Sequence, residues 1–190
     1  MFYHIKLFNV VSCVCIMGRI IIPKNSYTLK NDDALIFLAG PIGCARNWRN
    51  DAIRMLFAED DNIVVASPQG DLSSDLVSHI INENGSSFSG ARAWERMYLE
   101  RASAIGTIMF WLPGRETHNY KECYGGMTRK ELGDWTTEKK HRPEVRLAIG
   151  TDGNFPYGKT LEYDISQDLP DLSIHRTLEK TCAAALELAA

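Results

Sequence analysis

Ala34-Leu-Ile-Phe-Leu-Ala39 runs straight into Gly40-Pro41-Ile-Gly43. Six apolar residues follow one another with no polar alternation. A strand with one wet face alternates; a strand covered on both faces has no reason to. The Gly-Pro pair then stops the strand as a turn. The reading is a buried parallel strand whose carboxyl end opens into a loop. A helix is predicted after it over residues 48–58, with Ala52, Met55 and Leu56 on one face and Asp51, Arg54 and Glu59 off it.

The same unit recurs along the chain. Asn62-Ile-Val-Val-Ala66 is a second buried strand, ended by Ser67-Pro68-Gln69-Gly70. Residues 70–90 form a long polar excursion, the kind of loop that acts as a lid or binding segment. A helix follows over 92–104, then a strand over 107–112 stopped by Pro113-Gly114. The next helix opens in Tyr124-Gly-Gly-Met-Thr128, and a fourth strand covers 145–149. A short strand at 19–23 precedes the series. A terminal helix is predicted over 174–188, with Ile174, Leu178, Cys182 and Ala185 as its stripe. Alternating strands and helices imply an α/β protein: an open, mostly parallel sheet with helices on both faces.

Length and composition fit one domain. The chain has 190 residues, 45% of them hydrophobic, with a formal net charge of -3. No basic stripe with interleaved aromatics is present, so a nucleic-acid polymer is not the expected partner. No stretch stays apolar for the roughly 18 residues of a membrane span. The five cysteines, Cys13, Cys15, Cys44, Cys123 and Cys182, are scattered and odd in number. They read as buried thiols of a reducing cytoplasm rather than a disulfide or zinc framework. Residues 1–17 are an N-terminal extension or a mis-assigned start, since a domain can begin at Met17; residues 18–190 form the single domain.

Ligands of open parallel sheets sit beyond the carboxyl ends of the strands. Four segments leave strand ends here, 40–49, 67–70, 113–128 and 150–158, and all are expected to meet at one crevice. Glu131 lies at the start of the helix after the third. Thr128 stands three residues before it, the spacing of a capping box, so Glu131 reads either as a helix cap or as a carboxylate held over a ligand. In the second case the helix dipole would favour its ionised form. Trp48 and Arg49 open a helix at a strand end, and Arg49 reads as a group for phosphate or a sugar hydroxyl, or as a solvated arginine. Trp94 reads as core before it reads as a stacking platform. His79, His118 and His175 have no paired spacing and read as surface, as does the run 138–142. Asp152 and Tyr157 lie on the last strand-end loop, within reach of a ligand.

The series Ile36-Phe-Leu-Ala-Gly-Pro41, Asn47-Trp-Arg49, Val65-Ala-Ser-Pro68, Trp94-Glu95, Phe110-Trp-Leu-Pro113 and Thr128-Arg-Lys-Glu-Leu-Gly133 resembles the nucleoside 2-deoxyribosyltransferase-like family. The resemblance covers about residues 34–150 and rests on the order of the motifs rather than on any one of them. It implies a flavodoxin/Rossmann-like fold and cleavage of the N-glycosidic bond of a (deoxy)nucleoside. Glu131 takes the position of the nucleophile, and Glu95 that of the acidic residue beside the base, with Glu100 on the same helix as the other choice. Gly40 and Pro41 match the turn beside the nucleoside. Trp48, Arg49, Trp94, Gly126 and Thr128 complete the implied substrate contacts. Two positions depart from the family: Gly125 stands where transferases carry an aspartate, and Ile36 or Phe37 where they carry a tyrosine. Hydrolysis therefore stands beside transfer to a second nucleobase. The partners implied are a nucleoside or nucleotide, a nucleobase and a second copy of the chain, with no metal or other cofactor. Gly125 to Glu131 also resembles, with the proline and third glycine missing, the Pro-Gly-Gly-x-Gly-Thr-x-x-Glu signature of the phosphoribohydrolases called lysine-decarboxylase-like. That implies a nucleoside 5'-monophosphate glycosidase with a phosphate cluster of Arg49, Arg129 and backbone amides. A non-catalytic nucleotide-sensing module is the third reading.

Overall fold

In the computed structural model, residues 18–30, 33–83, 89–117 and 123–190 are described. The N-terminal extension, Cys13, Cys15, His118 and the tip of the 70–90 excursion lie outside them.

The elements alternate as their patterning demands: β1 (Arg19–Ile21), β2 (Leu35–Ala39), α1 (Trp48–Glu59), β3 (Val64–Ala66), α2 (Ala91–Ile105), β4 (Gly106–Leu112), α3 (Gly126–His141), β5 (Leu147–Thr151), α4 (Gly158–Asp168), β6 (Ile174–His175) and α5 (Leu178–Ala189). The strands form one six-stranded sheet in the order β1-β3-β2-β4-β5-β6, and every pairing is parallel. This is a flavodoxin/Rossmann-like open sheet. The apolar runs are unbroken because alternate residues enter different cores. Leu35, Phe37 and Ala39 of β2, with Ile108, Phe110 and Leu112 of β4, pack under α2, α3 and α4. Ile36 and Leu38, with Met109 and Trp111, pack under α1 and α5. Each such fully buried apolar side chain contributes about 1.5–3 kcal/mol.

Chain order makes the crevice. From β2 the chain passes through α1 to β3 on one side, then through α2 to β4 on the other. Strand order therefore reverses between β2 and β4, and the loops at their carboxyl ends diverge.

The structure changes three readings. Ile174 belongs to the two-residue strand β6, not to the terminal helix, which starts at Leu178 after Thr177 caps it; the Thr177 side chain accepts from the Lys180 amide. The predicted stripe reached Ile174 because a strand residue four before Leu178 falls in helical phase. Helix α4 was not anticipated, since it buries only Ile165 and shows little apolar pattern. The described part of the 70–90 excursion is pinned to the sheet edge: Ile80 bridges Ile20, the Ile81 amide donates to Ile20 O and the Glu83 amide to Ser26 O. Over those residues it is an edge cover, which shields the open hydrogen-bonding side of β1.

Candidate active site

Loops after β2 and β3 and the start of α3 enclose a crevice of about 360 Å³. Its walls come from residues 39–44, Pro68, residues 123–128, and the side chains of Arg92, Glu95 and Glu131. Three of the four predicted segments thus converge there. The fourth, after β5, braces the crevice from behind. Asp152 accepts from the Gly114 amide with both oxygens, at 2.8 and 2.9 Å, and Phe155 packs on Tyr124.

The first wall depends on Gly40. Its φ is +149°, and a Cβ there would lie 2.4 Å from the Trp111 carbonyl oxygen and 2.8 Å from Trp48 Cζ2. Behind this turn, Arg49 is completely buried. Its Nε donates to Leu38 O (3.3 Å), Nη1 to Pro41 O (3.1 Å) and to Gln69 Oε1 (3.5 Å), and Nη2 to Gly40 O (2.7 Å). Trp48 lies against the guanidinium at 4.4 Å and donates to Pro41 O. Burial lowers the Arg49 pKa to about 9, and the charges of Glu95 and Glu131 oppose that fall. Arg49 is thus neither solvated nor turned to a ligand: it clamps the backbone of the turn. Trp48 and Trp94 do not line the crevice either. Trp94 is buried between Phe37 and Tyr98 and donates its indole N–H to Asn25 O.

The second wall is the start of α3. Gly125 is the N-cap, with φ +65°, and no side chain caps this end. A Cβ on Gly125 would stand 2.6 Å from the Phe155 ring. The position where the resembled family carries an aspartate has no room for one. The capping box does not form: helix numbering from Gly126 makes Thr128 the third residue and Glu131 the sixth. Glu131 lies beyond the first turn, where the dipole has faded, so the dipole does not hold it ionised. Gly126 and Thr128 do line the crevice. Thr128 is only 4% exposed, and among the described residues its hydroxyl has no hydrogen-bond partner.

Glu131 faces α2 instead. Its side chain, 14% exposed, accepts a hydrogen bond from Arg92 Nη1, and the same nitrogen donates to Glu95 Oε2 at 3.0 Å. Two carboxylates from two helices are joined through one guanidinium. Burial pushes the Glu131 pKa up. Arg92 opposes this by hydrogen bond and charge, and Glu95 and Asp134 add to it. A half-buried carboxylate with a raised pKa is competent as a nucleophile once ionised, or as a proton donor below that point.

Sequence reasoning passed over Arg92. Its signal was the Arg-x-x-Glu spacing of Arg92 and Glu95, one turn apart at a helix start. Glu100 is exposed on the far part of α2 and pairs with Arg96. Arg129 donates to Tyr124 O and to Cys123 Sγ and lies over the Tyr157 ring, so no cluster of Arg49 and Arg129 forms. Tyr157 is 72% exposed and stands outside the crevice. His79 is tied to Gly18 O, and His175 lies in β6. Cys182 is buried, and its thiol is pushed up to about 12 by that burial, but Cys123 is exposed and Cys44 half-buried, so buried thiols describe only one of the three. Among the described residues no group of His, Cys, Asp and Glu is arranged to hold a metal, and no helix is long and apolar enough to cross a membrane.

In comparisons with known proteins, no family model, curated protein or solved structure matches this chain.

Proposed function

We propose that the protein cleaves the N-glycosidic bond of a (deoxy)nucleoside, with Glu131 as nucleophile. The observation that carries this reading is the Glu131–Arg92–Glu95 arrangement in a crevice at the switch point of the sheet. The Glu131 carboxylate would bond to the anomeric carbon as the bond to the base breaks, the electron pair leaving on the base nitrogen. The departing nitrogen takes a proton from Glu95 or from water. Attack by water, or by a nitrogen of a second base, then frees Glu131. Gly125, which offers no carboxylate, favours water as the acceptor. A cytoplasmic setting accompanies this reading from the scattered, odd-numbered cysteines, and a homo-oligomer from the family resemblance.

One observation favours a second reading, in which the substrate carries a 5'-phosphate. The uncapped start of α3 opens onto the crevice beside the Thr128 side chain, a place suited to an anion. The test of both is incubation with a 2'-deoxynucleoside or its 5'-monophosphate, with and without a second base, followed by chromatography. Free base and free sugar are expected, and Glu131→Ala should be at least about a thousandfold slower. Turnover at the wild-type rate in that variant would remove Glu131 from the reaction.

A further inference from the structure

Arg92 stands where two depressions of the surface meet. It lines the crevice at the strand ends, and also a groove of about 880 Å³ between α2 and α3; Met127 and Glu131 are the other residues common to both. Its contact with Glu95 is a one-turn pair within α2, whereas its contact with Glu131 crosses to α3. The charges around Glu131 come from three helices. Glu95 faces it from α2, Asp134 from α3, and the Arg49 guanidinium acts from beneath, from α1. Glu95 and Asp134 oppose a negative charge on Glu131. Arg49 spends its donors on the Leu38–Pro41 carbonyls and on Gln69. Among the described residues, Arg92 is the cation hydrogen-bonded to Glu131.

We propose that Arg92 is a positioning residue for Glu131: anchored on Glu95, it fixes the direction of the Glu131 carboxylate at the meeting of crevice and groove and sets a positive charge against it. The catalytic consequence rests on the reading of Glu131 as nucleophile; the effect on ionisation does not. Geometry makes the case, because one nitrogen holds both carboxylates and so ties the orientation of one to the other. The electrostatics agree in direction: burial raises Glu131, and Arg92 is the influence that pulls it back. Arg92 itself is 46% exposed in the first turn of α2, so replacing it leaves the core intact.

The test is a titration of the Glu131 carboxyl by carbon-13 NMR in protein labelled at its glutamate side chains. The resonance is assigned by its absence in Glu131→Gln. In Arg92→Gln the midpoint is expected to move up, and in Arg92→Lys, which keeps the charge, to stay near wild type. An unmoved midpoint in Arg92→Gln overturns the proposal, whatever the protein turns over. With a deoxynucleoside as substrate, Arg92→Gln should lower kcat about ten- to a hundredfold, the loss that one charge-assisted hydrogen bond corresponds to. KM should change little, and the acid limb of the pH–rate profile should move up with the NMR midpoint. A wild-type kcat in Arg92→Gln likewise overturns the positioning role. If the wild-type protein cleaves no nucleoside, the nucleophile reading fails, and the titration alone decides on Arg92.

Discussion

Glu131 is buried at a cost to the fold, and that cost has a sign. Its folded-state pKa lies above the ordinary carboxylate value, mainly through burial, with Arg92 only partly opposing. A group shifted in this direction supports the fold fully below its unfolded pKa and loses that support as pH rises through the folded value. Glu131→Gln removes the titration while keeping the shape. Thermal melts of the two proteins should therefore agree in acid and separate as pH rises through the raised pKa, the variant melting higher at neutral pH. A variant that melts lower at neutral pH would mean that the Arg92 hydrogen bonds outweigh the burial of the charge. Glu131, Gly40, Pro41, Gly126 and Thr128 were legible in the sequence as crevice positions, because strand ends could be located and turn residues follow them, whereas Glu95, within a helix, was named only through the family resemblance. Arg92 was not legible, since a salt-bridged arginine on a helix looks the same in sequence whether its partner is one turn away or on another helix. Arg49 was misread for a related reason: an arginine opening a helix is ordinarily solvated, and only the packed turn reveals that its donors are spent on carbonyls.

At the scale of elements, the β2–α1 connection and the start of α3 are the two parts that shape the site, and each is fixed by a residue behind it. Phe155, from the loop after β5, fills the space where a Cβ on Gly125 would stand, and Gly125 takes the left-handed conformation. Arg49 holds the turn after β2 from within α1. Arg49→Met keeps much of the buried stem but leaves the carbonyls of Leu38, Gly40 and Pro41 without this donor. Each buried acceptor so exposed costs about 1–3 kcal/mol. Denaturant unfolding should show the sum of those costs as a lowered midpoint with little change in slope. A variant as stable as wild type would show that water replaces the clamp without penalty. Legibility at this scale followed burial. β2 to β5 were readable because each fills both cores, whereas α4, with one buried side chain, and β6, with two half-buried residues, left no periodic signal.

For the whole molecule, topology and cavity size point to different places. A larger cavity, about 930 Å³, lies at the opposite end of the sheet from the crevice, among residues at the ends of α3, α4 and α5 and the start of β5. Its wall includes Lys139, Lys140 and Arg146, but these side chains face carbonyls or carboxylates of their own neighbourhood: Lys139 donates to Pro143 O and Val145 O, Lys140 pairs with Asp168, and Arg146 donates to Leu188 O. No reversal of strand order occurs at that edge, where β5 and β6 follow in sequence. The smaller crevice has what the larger cavity lacks: loops that diverge between β2 and β4, an uncapped helix start, and two carboxylates joined by one cation. Ligand binding should therefore follow topology rather than volume. Addition of a deoxynucleoside should shift the amide NMR signals of Gly40, Gly43, Gly126, Thr128 and Glu131 and leave those of Leu147, Leu169 and Ser173 unmoved. The reverse pattern would place the ligand at the amino end of the sheet, and Glu131 would then have no part in recognising it.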